Sequence, residues 1–435
     1  MVALVHAKPT PLWHINWSKI MLKRQVKLIT FLYKLSHAMR AATTPITMDA
    51  AAKKHCENKD LSIDGNEQFQ LESEPVLLPG LPNHLARLCL ADLPPSLLYS
   101  VCISWRRFIY SPNFPPFYSL YALLAPTAPA PNCECQLHSA TFSCFDPIAW
   151  KWRSLPSPPP PPLCMLSRHP SYISRILPIQ SITASGHLLL IAANTHNFLP
   201  ALTCPLVFDP LSSKWIFGPP FASPRRWCVT GSIDSSVYVA SGTGAQYHRD
   251  VAISLERWDM SKKEANWIWE TRAEFKDAKF SREPIEAIGY RGKLCMVNIK
   301  GKALKEGAVY NIVMNQWEQM PRGMLGGWTG PATIDDEVMY VVDQETGSLS
   351  KYNPDNDCWE QFVGPSNHLK GAEHISAGRG KVCAVSADGG KIFVVDIAAT
   401  TRPPNFWILE PPQGMEVIAV HILPRMSLPE HWSIL

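Results

Sequence analysis

Short hydrophobic runs alternate with short polar runs along most of the chain. Residues 133–435 contain short β-branched and aromatic runs separated by Gly, Pro, Asn and Asp, with no long stretch of helical period. This pattern predicts an all-β domain made of many short strands. Residues 1–74 show no clean periodicity and are basic, then polar, which predicts a disordered N-terminal region.

Residues 75–124 form an apolar stretch punctuated by proline, which predicts short helices. Pro82 suits the first turn of a helix, because its missing N–H would have no partner there. Pro94 and Pro95 end that helix, and Ser96 is placed to cap a second one.

The second predicted helix continues to Pro112. Its apolar residues recur at helical spacing on one face, at Leu97, Val101, Trp105 and Phe108. Helices this short bury too little surface to be stable alone, so the apolar face predicts a partner.

A second pattern recurs six times after residue 133. Each unit reads aromatic, then Asp or Asn, then a turn and a tryptophan, as in FDPLSSKWIFGPP. The tryptophans are Trp152, Trp215, Trp269, Trp317, Trp359 and Trp407, which lie 63, 54, 48, 42 and 48 residues apart. Between the units lie predicted hairpins, with turns at Ser185-Gly186, Asp234-Ser235, Arg291-Gly292, Asp335-Asp336 and Arg379-Gly380.

Four short strands in a repeat of about 50 residues are typical of the blades of a propeller. The aromatic-Asp/Asn unit with its tryptophan resembles the third and fourth strands of a kelch blade, so we expect a six-bladed kelch-type β-propeller over 133–425. A WD-repeat propeller fits less well, because Trp258-Asp259 is a solitary dipeptide. We expect each tryptophan to fill the interface between blades, and Met415–Leu423 to complete the first blade, which lacks inner strands of its own.

Composition and charge narrow the function classes. The chain has 41 Lys and Arg against 37 Asp and Glu, and its 12 cysteines show no disulfide density. Residues 1–48 carry +7 and the rest −3, so no nucleic-acid partner is indicated. No uncharged apolar run reaches the length of a membrane span. We therefore expect no membrane partner and a reducing compartment, the cytoplasm or nucleus. The basic start is an ordinary tail, an extension upstream of the true start, or a transit-like segment.

No catalytic or metal-binding pattern is legible. Cys133 and Cys135 form a lone C-x-C without a second ligand pair, and no histidine lies at helical spacing from another ligand. We therefore predict no cofactor, no metal and no enzymatic activity. The Ser157–Pro162 stretch indicates either a stiff loop or a polyproline ligand.

The 75–124 stretch resembles an F-box, the helical module that docks the Skp adaptor of a cullin-RING ubiquitin ligase. The resemblance covers Leu78 to Tyr121 and is most specific at Leu81-Pro82, Ser104-Trp105-Arg106 and Ser111-Pro112. It implies that a leucine and proline stripe binds the adaptor, formed by Leu78, Pro79, Leu81, Pro82, Leu85, Leu88, Val101, Trp105 and Phe108.

An F-box joined to a kelch propeller is similar to the plant Skp-interacting F-box/kelch proteins. Membership implies a substrate-recognition subunit whose propeller holds a target protein for ubiquitination. The alternatives are a kelch scaffold that does not bind the adaptor and an enzymatic propeller of the oxidase or sialidase class. Arg and Trp in loops between blades are candidate target contacts, together with neighbouring cations: Arg225, Arg226, Trp227, Arg282, Arg322, Trp328, His368 and Lys370.

Overall fold

The computed structural model describes residues 76–127, 141–159, 179–195, 197, 199–276, 278–282, 285–298, 304–399 and 404–427. The predicted N-terminal region 1–74 and the pair Cys133 and Cys135 lie outside these residues. The chain divides into two compact units between Pro115 and Pro116. No helix in the described part of the chain is long and apolar enough to cross a membrane.

In residues 76–115, the described part of the first unit, there are three short helices: α1 (Asn83–Ala91), α2 (Pro95–Val101) and α3 (Ile103–Tyr110). Pro82 and Pro94 lie at the N-caps of α1 and α2, where a missing N–H removes no hydrogen bond. The prediction that Ser96 caps the second helix is wrong, because Ser96 lies within the first turn of α2.

The single helix predicted up to Pro112 is also divided. Cys102 has extended backbone angles (φ −156°, ψ 168°), which end α2 and start α3. Val101 is therefore exposed, whereas Trp105 and Phe108 are buried with Leu90, Leu98 and Ile109. The break turns α3 so that the residues of the predicted single stripe belong to two different surfaces.

The second unit is a six-bladed β-propeller of four-stranded antiparallel sheets. Blade 1 contains β1 (Tyr118–Pro126), β2 (Thr141–Asp146) and β3 (Lys151–Ser154); blade 2 contains β4 (Ile179–Ala184), β5 (His187–Ala193), β6 (Leu206–Asp209) and β7 (Lys214–Phe217). Blade 3 contains β8 (Val229–Ile233), β9 (Ser236–Ala240), helix α4 (Arg249–Ile253), β10 (Leu255–Asp259) and β11 (Trp269–Thr271).

Blade 4 contains β12 (Ile285–Tyr290), β13 (Lys293–Asn298), β14 (Gly307–Asn311) and β15 (Gln316–Gln319), followed by helix α5 (Arg322–Gly327). Blade 5 contains β16 (Ala332–Asp335), β17 (Val338–Val342), β18 (Leu349–Asn353) and β19 (Cys358–Val363). Blade 6 contains β20 (Ile375–Gly378), β21 (Lys381–Val385), β22 (Ile392–Asp396) and β23 (Phe406–Leu409). Short 3₁₀ helices span Glu264–Asn266 and Lys279–Arg282.

The final strand, β24 (Met415–Pro424), closes the ring. It pairs antiparallel with β1 along its whole length, so blade 1 has the strand order β24-β1-β2-β3. The predicted closure by the C-terminal segment is therefore present. The predicted domain bounds need correction, because most of β1 falls in the range 75–124 assigned to helices and the propeller unit begins at Pro116 rather than 133. Nearly all of β1 is buried, so it lacks the alternation that marks a strand in sequence.

The repeated sequence unit has a common structural role. The Asp or Asn that follows the aromatic residue accepts backbone N–H groups of the next turn, as Asp209 does from Leu211 and Ser212. In the first five units, the tryptophan then donates its indole N–H to a carbonyl of the preceding blade. These bonds join Trp152 to Glu410, Trp215 to Pro156, Trp269 to Pro219, Trp317 to Ala273, and Trp359 to Met324, at 2.7–3.1 Å.

The inner hairpins follow the predicted turn chemistry closely. Arg291 and Gly292 both have positive φ, as a two-residue turn between twisted strands requires. The turn predicted at Asp335-Asp336 lies one residue later, because Asp336 and Glu337 carry the positive φ values.

Candidate interaction surfaces

The helical unit exposes large apolar side chains. Leu85 and Leu88 on α1 are 42% and 68% exposed, and Val101 and Ile103 on either side of the Cys102 break are 48% and 57% exposed. Val76 is exposed as well. We call these five residues the apolar face. Exposed aliphatic side chains grouped on one small unit are typical of a protein-binding surface.

Other predicted adaptor contacts lie deeper. Trp105 is buried and donates its indole N–H to the carbonyl of Leu77 at 2.7 Å, and the Leu77 N–H is bonded to the Asn83 side chain at 3.1 Å. Trp105 therefore ties the segment before α1 to α3. Phe108 is buried against Phe114, edge to face at 5.3 Å. Both residues support the unit from inside rather than presenting a surface.

Of the remaining predicted contacts, Leu78, Pro79 and Leu81 are partly buried and Pro82 is exposed. The sequence reasoning missed Ile103 and Val76. Ile103 follows Cys102, and a single helix through Cys102 left it off the stripe. The sequence signal that could have revealed Ile103 is that prolines start α1 and α2 and make them short, which allows the chain to break before Ser104.

The loops with predicted target contacts lie at one end of the propeller. All four connect the outermost strand of one blade to the innermost strand of the next: β7 to β8, β11 to β12, β15 to β16 and β19 to β20. Because antiparallel strands alternate in direction, the loops between second and third strands lie at this same end. We call this end the loop face.

Two of the predicted contacts on these loops are interior. Arg225 is 1% exposed, and its guanidinium bonds Glu256 at 2.5 Å and the Ser254 hydroxyl at 2.7 Å. Trp328 is fully buried and donates its indole N–H to the carbonyl of Gly330 at 3.1 Å. As placed, these side chains hold their loops in the blades and present no surface to a target.

The other candidates are more accessible. Arg226 is partly buried with its guanidinium 4.1 Å from the centre of the Trp227 ring, and burial lowers the pKa of Arg226. Arg322, His368 and Lys370 are exposed. Arg282 is the last residue of the 3₁₀ helix Lys279–Arg282.

At the centre of the ring lies an open cavity of about 400 Å³, lined by the innermost strand of each blade. His374 and His421 line it with their rings 5.4 Å apart, and the His421 Nε2 lies 2.8 Å from the Ser181 hydroxyl. Burial lowers the pKa of His374 to about 4, and burial and then the His374 charge lower the pKa of His421 well below its usual range. Both imidazoles are therefore neutral at pH 7.

The described residues hold no cluster of three or more His, Cys, Asp or Glu that could bind a metal ion. Four buried thiols have a pKa raised to about 12 by burial, at Cys144, Cys228, Cys295 and Cys383. A thiol that stays protonated is a poor nucleophile and a poor ligand, so these four act as core residues.

Comparison with known proteins gives the family. The chain is 46% identical over 378 residues to the F-box/kelch-repeat protein SKIP25 of Arabidopsis thaliana, an alignment that spans 85% of this chain and 93% of that protein. This chain belongs to the F-box/kelch-repeat family. This F-box/kelch-repeat protein is also 23% identical over 304 residues to the F-box protein AFR of the same plant, across 65% of this chain and 73% of that one. No protein-family model matches the chain.

Proposed function

We propose that this F-box/kelch-repeat protein is the substrate-recognition subunit of a Skp–cullin–F-box ubiquitin ligase. Its helical unit docks a Skp adaptor, and its propeller holds a target protein for ubiquitination. The protein itself performs no bond chemistry. It raises the local concentration of target lysines near the ubiquitin-loaded enzyme. We place it in the cytoplasm or nucleus.

The apolar face carries this proposal. It presents five aliphatic side chains, each with 42% or more of its surface exposed, on the three described helices and the segment just before them. Covering roughly 400 Å² of apolar surface at ~25 cal/mol per Å² supplies on the order of 10 kcal/mol before the costs of association. Family membership supports an adaptor role for this unit, since the relatives carry F-box names.

Co-purification with a Skp adaptor tests the proposal. Leu88→Asp places a charge on the most exposed leucine of α1 and should abolish adaptor capture while the protein stays folded. Leu211→Asp is the matched control, because Leu211 is an exposed leucine on a turn of blade 2 and should leave capture unchanged. Trp105→Ala is a poor test, because Trp105 is buried and its loss would disturb the helices themselves.

The result separates the candidate functions. Capture by the wild type and the control but not by Leu88→Asp supports docking through the apolar face. No capture by the wild type would favour a kelch scaffold that does not bind the adaptor. A reconstituted ligase that adds ubiquitin to captured proteins only when the apolar face is intact would support the complete function.

A further inference from the structure

On the loop face, described residues of four segments of blades 3 to 5 contact one another, each segment touching the next. Helix α4, between β9 and β10, packs through Ile253 near Phe275 and Phe280 of the β11–β12 connection. Lys279 of that connection pairs with Glu306 of the β13–β14 loop at 2.7 Å. The preceding residue of that loop, Lys305, donates to the Gly326 carbonyl of α5 at 3.2 Å. Each loop is therefore fixed to the next.

Charge is distributed unevenly over the loop face. The described residues of these four segments, 241–254, 272–276, 278–282, 304–306 and 320–331, contain seven Lys or Arg and three Asp or Glu, a net charge of +4. The corresponding segments of blades 5 and 6, residues 343–348, 364–374, 386–391 and 410–414, contain two basic and five acidic residues, a net charge of −3. One part of the face attracts anionic groups and the other repels them.

The cationic side chains are accessible. Arg249, Lys276 and Arg322 are exposed, and none of them forms an ion pair with another described residue. Lys279 is exposed and paired with Glu306. Two large apolar side chains lie on the same segments, Tyr247 at 46% and Leu304 at 83% exposure. We call these six residues the basic ridge: Tyr247, Arg249, Lys276, Lys279, Leu304 and Arg322.

We propose that the basic ridge binds an acidic segment of the target protein that carries an apolar side chain. The ridge has four cations at most, too few for the six to ten phosphate contacts of a typical DNA site, and its exposed Tyr247 and Leu304 match side chains rather than phosphates. The inference rests on the proposed function only in identifying the bound protein as the target that the ligase modifies.

Fluorescence anisotropy tests this binding on the purified full chain. The probe is a fluorescein-labelled peptide of Asp and Glu with a central Leu-Trp pair, and the comparison peptide has Asn and Gln at every acidic position. We expect the acidic probe to bind at least about tenfold more tightly than the neutral one, with a difference that shrinks as salt is added. Equal binding of the two peptides would overturn the proposal.

Two matched double variants locate the contact. Arg249→Glu with Arg322→Glu reverses two ridge charges, and Lys214→Glu with Lys391→Glu reverses two exposed charges elsewhere on the propeller. We expect the ridge variant to weaken the acidic probe by at least about tenfold and the control by less than about twofold. Leu304→Ser should weaken it by about threefold at any salt concentration. Equal effects of the two double variants would overturn the assignment to the ridge.

Two further readouts keep this inference apart from the proposed function. A short single-stranded DNA that displaces the probe at a lower concentration than unlabelled acidic peptide would replace the protein target with a nucleic acid. Adaptor capture is measured on the same preparations. A wild-type protein that binds the probe but not the adaptor would contradict the ligase function and leave the ridge assignment standing.

Discussion

Ring closure by β24 makes a strong prediction about truncation. A chain that stops after Pro412 loses β24 and leaves β1 as an unpaired, apolar sheet edge. Val417, Val420 and Leu423 are each at most 2% exposed, and losing the burial of three such side chains costs roughly 5–9 kcal/mol. The truncation also removes the backbone hydrogen bonds between β24 and β1, each of which contributes about 1 kcal/mol to stability.

The sum of these losses approaches the whole stability of an ordinary domain, about 5–15 kcal/mol. We therefore expect the truncated chain to be insoluble or to unfold without a cooperative transition. The exposed β1 edge also favours aggregation by strand pairing. The matched control stops after Ser427, which keeps β24 and the bond from the Ser213 hydroxyl to the Ser427 carbonyl at 2.6 Å.

Solubility, size-exclusion chromatography and thermal denaturation measure the outcome. The control should elute as a folded protein with a single melting transition, and the shorter chain should not. A soluble chain ending at Pro412 that melts cooperatively at the temperature of the control would refute the reasoning. The first blade would then be stable without its C-terminal strand.

Three further changes test other parts of the account. In denaturant titrations, Trp317→Phe, which removes the indole bond to the Ala273 carbonyl, should lower the free energy of unfolding by about 1 kcal/mol. Trp317→Ala also loses the ring stacked on Phe275 and should lower it further; identical values for the two variants would contradict the inter-blade role. Arg225→Met leaves the buried Glu256 without its partner and should lower the free energy of unfolding by about 3–5 kcal/mol, a loss that adding Glu256→Gln should partly restore. An unchanged denaturation midpoint in Arg225→Met would show that the pair is not buried in solution. The free energy of unfolding should be highest above pH 6.5 and fall by about 3 kcal/mol for His374 alone as the pH approaches 4, because the unfolded chain binds the proton first. His374→Gln should flatten this pH dependence, and a flat profile in the wild type would argue against a buried, neutral histidine pair.

The propeller could be predicted because its local signals agree with one another. Asp209 and the tryptophan that follows it mark a turn and an inter-blade bond, and such units recur at nearly constant spacing. The inner turns were legible because Ser185-Gly186 and Arg291-Gly292 accept positive φ. Strand β1 was missed because a strand that is buried along its length shows no alternation.

The interaction surfaces were harder to predict, since exposure depends on packing. Val101 and Trp105 share a helical spacing in sequence, yet the extended backbone at Cys102 leaves one exposed and the other buried. Arg225 and Arg226 are adjacent in sequence, but only the fold shows that Arg225 forms an ion pair with Glu256, 31 residues later. Residue type alone could not separate a binding arginine from a structural one.

Titration calorimetry between the full chain and a purified Skp adaptor tests the central proposal most directly. The account predicts saturable binding with a negative heat-capacity change, the mark of buried apolar surface, which is abolished by Leu88→Asp and preserved by Leu211→Asp. Absence of binding by the wild-type chain, or equal binding by both variants, would contradict a role for the apolar face in docking the adaptor.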